Sequence, residues 1–214
     1  MDIIRIIVLI GMLSFFPVLY NFFKNNIMKW ITPFFIKIKY TFKRFYRILN
    51  VKKRSKFVWK DLIKYNQKKG WTFGQYESEK RIETSFSVDE NNVLNFNYTV
   101  KEEKLAFTSI ILKEFDEDKS NDLLLLAAHF NSLLSFGVVI VSTKYNYVGF
   151  THSGDLISYM LFDGEIDEDL KRHFDITKDV FWSFKTLLET GDDPIFVFSE
   201  LLRRNEEKNK EDDN

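Results

Sequence analysis

No cysteine occurs anywhere in the 214 residues. Disulfide frameworks, thiolate nucleophiles and cysteine-ligated metals are therefore excluded, and the absence fits a reducing compartment. Glycine (8) and proline (3) are scarce, too few for a long disordered linker. The sequence has no GxxxxGK or GxGxxG to cradle phosphates, no GxSxG elbow and no HExxH zinc pattern. Acidic residues are nearly missing from the first part of the chain. Met1 to Lys60 holds 13 Lys and Arg against one acid, Asp2, whereas Asp61 to Asn214 holds 18 against 30. A net charge of zero thus conceals a basic arm of about +12 and an acidic body of about −12.

What is abundant is apolar and aromatic. Hydrophobic residues make up 45% of the chain and aromatics 17%, with 23 Phe. That is enough to build the core of one ordinary domain with accessory segments.

Ile3 to Phe23, IIRIIVLIGMLSFFPVLYNFF, carries no charge from Ile6 to Tyr20. About 20 predominantly apolar residues span a bilayer as a helix, and membrane helices tolerate a proline such as Pro17. A cleaved signal peptide would want more than Arg5 in front and a small-residue cleavage site behind, where the chain reads PVLYNFFKNN. A buried core helix would rarely be so uniformly apolar. The expectation is an uncleaved anchor over residues 1–24. Lys and Arg crowd its far side, and such an excess marks the cytoplasmic face. The reading is a single-pass protein of the cell inner membrane, its N-terminus outside and its body in the cytoplasm.

Trp30 to Lys56 then holds seven aromatic residues and nine Lys or Arg without an acid. Ile27, Trp30, Ile31, Phe34, Phe35, Ile38, Phe42, Phe45 and Leu49 recur at steps that place them on one helical stripe. Lys29, Lys37, Lys43, Arg44 and Arg47 fall mostly off it. A basic amphipathic helix of this kind suits a membrane interface, where anionic lipids add about 1 kcal/mol per nearby cation. The expected interface residues are Lys29, Trp30, Phe34, Phe35, Lys37, Ile38, Phe42, Lys43, Arg44, Phe45 and Arg47. Packing of the stripe on the domain is the plainer alternative. Calmodulin-target and nucleic-acid-binding helices look similar, but the adjacent apolar span makes lipid the simpler partner, and no nucleic acid is expected.

The body, residues 57–192, opens with a helix in KFVWKDLIKYNQKKGW that stops at Gly70. RIETSFSV, NVLNFNYTV and KLAFTSIILKEF follow as three strands of a meander; Leu94, Phe96, Tyr98 and Val100 alternate as a half-buried strand does. DKSNDLLLLAAHFNSLLSF reads as a helix capped near Ser120 to Asp122. GVVIVST and YNYVGFT form a hairpin, and DLISYMLF is a further extended piece, either separate or continuous with YVGFT. DGEIDEDLKRHFDITKDVFWSFKTLLET is a long helix entered through acids that suit its dipole. Residues 193–214 supply a short amphipathic helix, PIFVFSELLRR, and a charged tail. The order helix, three strands, helix, two or three strands, helix predicts an α+β domain with a mainly antiparallel sheet.

This order and its joints resemble the YbjN-like domain, which shares its fold with type III secretion chaperones. The shared features are the first helix ending in KKGW, the meander, AAHFN before GVVIV, and LFDGEIDEDLKRHFD introducing the last helix. The resemblance runs from Phe57 to Thr190. It implies binding of proteins or peptides, or pairing with a second copy, rather than chemistry. The membrane anchor departs from the usual soluble secretion chaperone, and no family site residues transfer.

No catalytic or metal-binding pattern stands out in the sequence. His129 reads as packed in an apolar helix, THSGD around His152 as a turn, and His173 as the outer side of an acidic helix. The runs EFDEDKSND and DGEIDEDL lack calcium-loop spacing and sit at helix starts. Trp59, Trp71 and Trp182 read as packing. The expectation is a membrane-anchored adaptor or chaperone-like protein, neither enzyme nor cofactor-bound. Two rivals stand: a ligand-binding or enzymatic domain joining His152 to acids of residues 163–169, and a membrane-damaging protein acting through its N-terminal helices.

Overall fold

The structure is a computed structural model that describes residue 36 and residues 39–212 except 163. The predicted anchor, Ile3 to Phe23, lies outside the described residues, as do Lys29, Trp30, Phe34, Phe35, Lys37 and Ile38. Among the described residues, no helix is long and apolar enough to cross a membrane.

The chain divides into two compact units between Leu49 and Asn50. In the first, residues 39–49 form helix α1. The second is α+β, as the element order predicts. It contains α2 (Arg54–Lys69), β1 (Phe73–Tyr76), β2 (Arg81–Ser87), β3 (Val93–Val100), β4 (Lys104–Leu112), α3 (Ser120–Leu133), β5 (Val138–Ser142), β6 (Tyr147–Asp155), α4 (Leu156–Leu161), α5 (Glu165–Thr190) and α6 (Pro194–Asp212). The six strands make one fully antiparallel sheet in the order β1-β2-β3-β4-β6-β5.

Period-two alternation decides which side of the sheet is core. The registers align Ile82, Tyr98, Phe107 and His152 in one row, and Thr84, Phe96, Ser109, Phe150 and Val139 in the next. All nine are buried. α5 lies against β4 and β6 on this side, joined to it by a hydrogen bond of 2.9 Å between the Ser109 and Thr177 hydroxyls. The opposite face carries Glu83, Asn97, Thr108 and Thr151, then Ser85 and Asn95, a polar set suited to water. α6 buries Val197, Phe198 and Leu201 and packs on α3 and α5.

Five features differ from the sequence expectation. β1 is an additional edge strand of four mostly exposed residues, too short to produce a periodic signal. THSGD is not a turn: β4 is nine residues long and offers partners as far as Lys104↔Asp155, so β6 continues through His152 and Gly154. DLISYMLF is helical instead of extended, because Asp155 caps it by accepting from the Ile157 N–H at 2.6 Å. The predicted side-chain cap at Ser120 to Asp122 is replaced by a 3₁₀ turn over Glu117–Lys119 that leads into α3. The last helix also continues to Asp212 beyond the expected RR end, with Arg203 pairing Glu200 and Glu207 along its surface.

The β5 edge is guarded. The Asn131 carboxamide of α3 donates to the Val139 carbonyl at 2.9 Å and accepts from the Val139 N–H at 2.8 Å. It occupies the backbone groups that a further strand would use, which is one way native sheets avoid edge pairing. Gly137 makes the tight joint between α3 and β5 with φ 79°, and a Cβ there would sit 2.6 Å from the Phe150 ring and 2.7 Å from the Thr151 carbonyl. Gly70 has a similar φ of 71° with nothing within 4 Å. Gly137→Ala is therefore expected to destabilise the domain by well over the roughly 1 kcal/mol that backbone strain costs at such positions, and Gly70→Ala by about that amount alone. Urea unfolding of the two variants checks the order; equal losses would contradict it.

Candidate functional site

Three features of the described residues bear on function: the α1 surface, a buried histidine cluster, and a cleft between α2 and α5. On α1, Phe42, Phe45 and Leu49 fall at steps of three and four and are 73%, 58% and 76% exposed. Tyr40 and Tyr46 are exposed as well. Lys43 is exposed, whereas Arg44 and Arg47 are half-buried and engaged with other groups. The short helix thus presents large apolar side chains beside cations.

The second feature reverses two sequence readings. His173 does not lie on the outer side of α5; it is fully buried. His152 points inward from β6, and the two rings meet Nδ1 to Nδ1 at 2.8 Å. Asp169, one turn before His173, brings Oδ2 to 3.7 Å from His152 Nε2, an electrostatic contact rather than a hydrogen bond. The Tyr159 hydroxyl of α4 donates to the same oxygen at 2.5 Å. Gly154 makes room for that tyrosine, since a Cβ there would lie 2.0 Å from its hydroxyl. Rings close the cluster: Phe107 stacks on His152 at 4.4 Å, Phe136 lies 4.0 Å from the same ring, and Phe150 lies 4.8 Å from His173.

Electrostatics assigns the protons. Burial lowers the pKa of His152 against the opposing pull of Asp169, and it drives His173 well below the ordinary histidine value, with His152 adding to the effect. Burial alone would raise Asp169, but His152 and the Tyr159 hydrogen bond outweigh it and hold the carboxyl below the usual range. Both imidazoles are then neutral beside an ionised carboxylate. That carboxylate favours N–H on His152 Nε2, which leaves His152 Nδ1 as the acceptor and His173 Nδ1 as the donor. A single proton fits between the two Nδ1 atoms; a second would place two donors face to face.

The juxtaposition of His152 with an acid from residues 163–169 is the pairing that a dispersed ligand-binding or catalytic site would use. Here these side chains are inside the core, at 6% exposure for His152 and 8% for Asp169. Among the described residues, no group of three or more His, Asp or Glu is placed to hold a metal ion. His129 is half-buried on α3 and stacks on Phe198 at 5.6 Å.

The third feature is open. α2 and α5 diverge over β2 and β3 and leave a cleft of about 410 Å³. Tyr65 of α2, Trp71, Phe86 of β2, Phe96 of β3, Leu170 and Phe174 of α5 line it. The rings meet edge to face: Tyr65 to Trp71 at 5.7 Å, Trp71 to Phe86 at 4.9 Å, Phe86 to Phe96 at 5.0 Å. At the mouth, Asp167 accepts from the Tyr65 hydroxyl and pairs with Lys69 at 2.6 Å. Lys69 and Tyr65 hold the Asp167 carboxyl below its ordinary pKa, while burial, with Asp167 beside it, pushes the Tyr65 phenol up. This size and lining belong to the usual range of binding clefts. The sequence offers each ring only as an apolar position in its own element, so the opening between them has no sequence signature. No family model matches this chain, and no curated protein matches it in sequence.

The histidine pair generates a pH dependence. Its folded pKa values lie below the unfolded value of 6.5, so the unfolded chain takes up protons first as the solution is acidified. The stability the pair contributes is complete above pH 6.5 and is lost as pH falls below it. The thermal midpoint is expected to be level from pH 8 to 7 and to fall from pH 6.5 to 5, with a shallower fall in His173→Gln. Ring ¹⁵N shifts give an independent check: both imidazoles should titrate below the ordinary histidine value. A midpoint at or above 6.5 for either ring would contradict the assignment.

Proposed function

We propose that this chain is a membrane-tethered, protein-binding module whose binding surface is the aromatic cleft between α2 and α5. The observation that carries the reading is the cleft itself, an opening of about 410 Å³ walled by large, half-buried rings. An apolar opening of this kind serves binding better than chemistry, because its lining has few groups able to move protons or attack a bond. The tether is drawn from Ile3 to Phe23, the basic amphipathic interface helix from residues 25–56, and the exposed Phe42, Phe45 and Leu49 support the latter. Held at a bilayer, the acidic body is repelled by anionic headgroups and faces the cytosol, and its effective concentration for partners at that surface rises. Self-association is a second use of the same surface. The likeness of the element order to YbjN-like domains belongs to this proposal and points the same way.

A ligand-binding or enzymatic domain centred on His152 and Asp169 is the competing reading. It is less favoured because both side chains are buried in the core, His152 against His173 and Asp169 against Tyr159.

Fractionation and crosslinking test the proposal together. The full chain should stay with membranes through both carbonate and high-salt washes, and release by either would remove the tether. A photo-crosslinking amino acid in place of Lys171, at the cleft, should yield a discrete protein adduct in cells. The same group in place of Asn97, on the polar sheet face, should not. Equal labelling from both positions, or none from either, would contradict binding at the cleft.

A further inference from the structure

We infer that the cleft takes a peptide segment in which a large aromatic or aliphatic side chain is flanked by acidic residues. The inference rests on the protein-binding reading and adds the chemistry of the partner. The apolar requirement comes from the lining. Tyr65, Trp71, Phe86 and Phe174 are each half-buried, and they leave a space the size of a large side chain and its neighbours. A ring entering it continues the edge-to-face ladder that already runs from Tyr65 to Phe96.

The acidic requirement comes from the rim, whose charge is opposite to that of the domain. The body as a whole is acidic, yet Lys171 lines the cleft and Lys69 and Lys178 lie over two of its rings. Lys69 lies 5.3 Å from the Tyr65 ring centre and Lys178 lies 5.4 Å from that of Phe174. Among the described residues Asp167 is the only carboxylate lining the cleft, and it is already committed to Lys69 and Tyr65. Lys171 and Lys178 have no ion pair among the described residues. They stand one and three turns along α5 from Asp167, on the stripe that also carries Phe174. A segment seated by its ring therefore meets two uncommitted cations on the α5 side. Acidic flanks are attracted there and basic flanks repelled, whereas elsewhere on the acidic body the preference runs the other way.

The test uses the full chain and three capped heptapeptides: one Phe between two pairs of Glu, the same Phe between two pairs of Lys, and Ala in place of Phe between the Glu pairs. The readout is the indole N–H resonance of Trp71. The Glu-flanked Phe peptide should shift it and bind about fivefold to tenfold more tightly than the Lys-flanked one, the scale of two exposed charge contacts. The difference should shrink at 0.5 M salt and invert in a Lys171→Glu, Lys178→Glu variant, two surface changes that leave the core untouched. The Ala peptide should leave Trp71 unmoved. Equal binding of the Glu- and Lys-flanked peptides would overturn the acidic requirement while leaving the cleft as a binding surface. If no peptide moves Trp71, the inference falls, and protein binding is then judged by the crosslinking at position 171 alone.

Discussion

The packing of α5 across the buried face of the sheet is the constraint from which the rest of the domain follows. Phe96, Phe107 and Phe150, one from each of three neighbouring strands, come up against this helix, and the Ser109–Thr177 hydrogen bond fixes its position among them. Burying such rings contributes several kcal/mol each before entropy is counted. A helix held this way has no freedom to turn its polar residues outward. His173 is consequently carried into the core, where it needs a partner, and His152 on the facing strand is the partner.

The same placement leaves the cleft. α5 is seated over β4 and β6, at the middle of the sheet, while α2 contacts β3 and α4. Between the two helices Phe86 stays half-buried beside the fully buried Phe96, and neither helix covers it fully. The Tyr65–Asp167–Lys69 bridge joins α2 to the start of α5 without filling the gap. At the sheet's other end the opposite solution is used: Asn131 satisfies the outward backbone groups of Val139 and discourages strand addition there. At β5 a side-chain amide occupies outward backbone groups, whereas between α2 and α5 large rings stay half-buried.

The two compact units divide at Leu49 and Asn50, inside the basic stretch from Met1 to Lys60. Segregation of charge along the chain is consistent with a molecule that works at a surface of one sign while presenting the other sign to solution. Within the acidic body, Lys69, Lys171 and Lys178 gather beside the cleft.

Patterns confined to one segment were legible without coordinates. The alternation from Leu94 to Val100 marks a half-buried strand, Gly70 and Gly191 mark helix ends, and the order of elements marks an antiparallel α+β fold; each depends on neighbours only a few residues away. What the sequence could not carry was anything decided by a distant partner. THSGD contains turn-forming residues and becomes strand because β4, some fifty positions earlier, is long enough to pair with it. His173 sits among acids in sequence and is buried in space, because helix rotation is set by packing against rings from β3, β4 and β6. The four elements whose rings line the cleft each announce an apolar residue, but the distance between α2 and α5 is a property of the assembled core. Local propensity is a short-range energy and is written in the order of residues; burial and vacancy are long-range, and only the folded chain decides them.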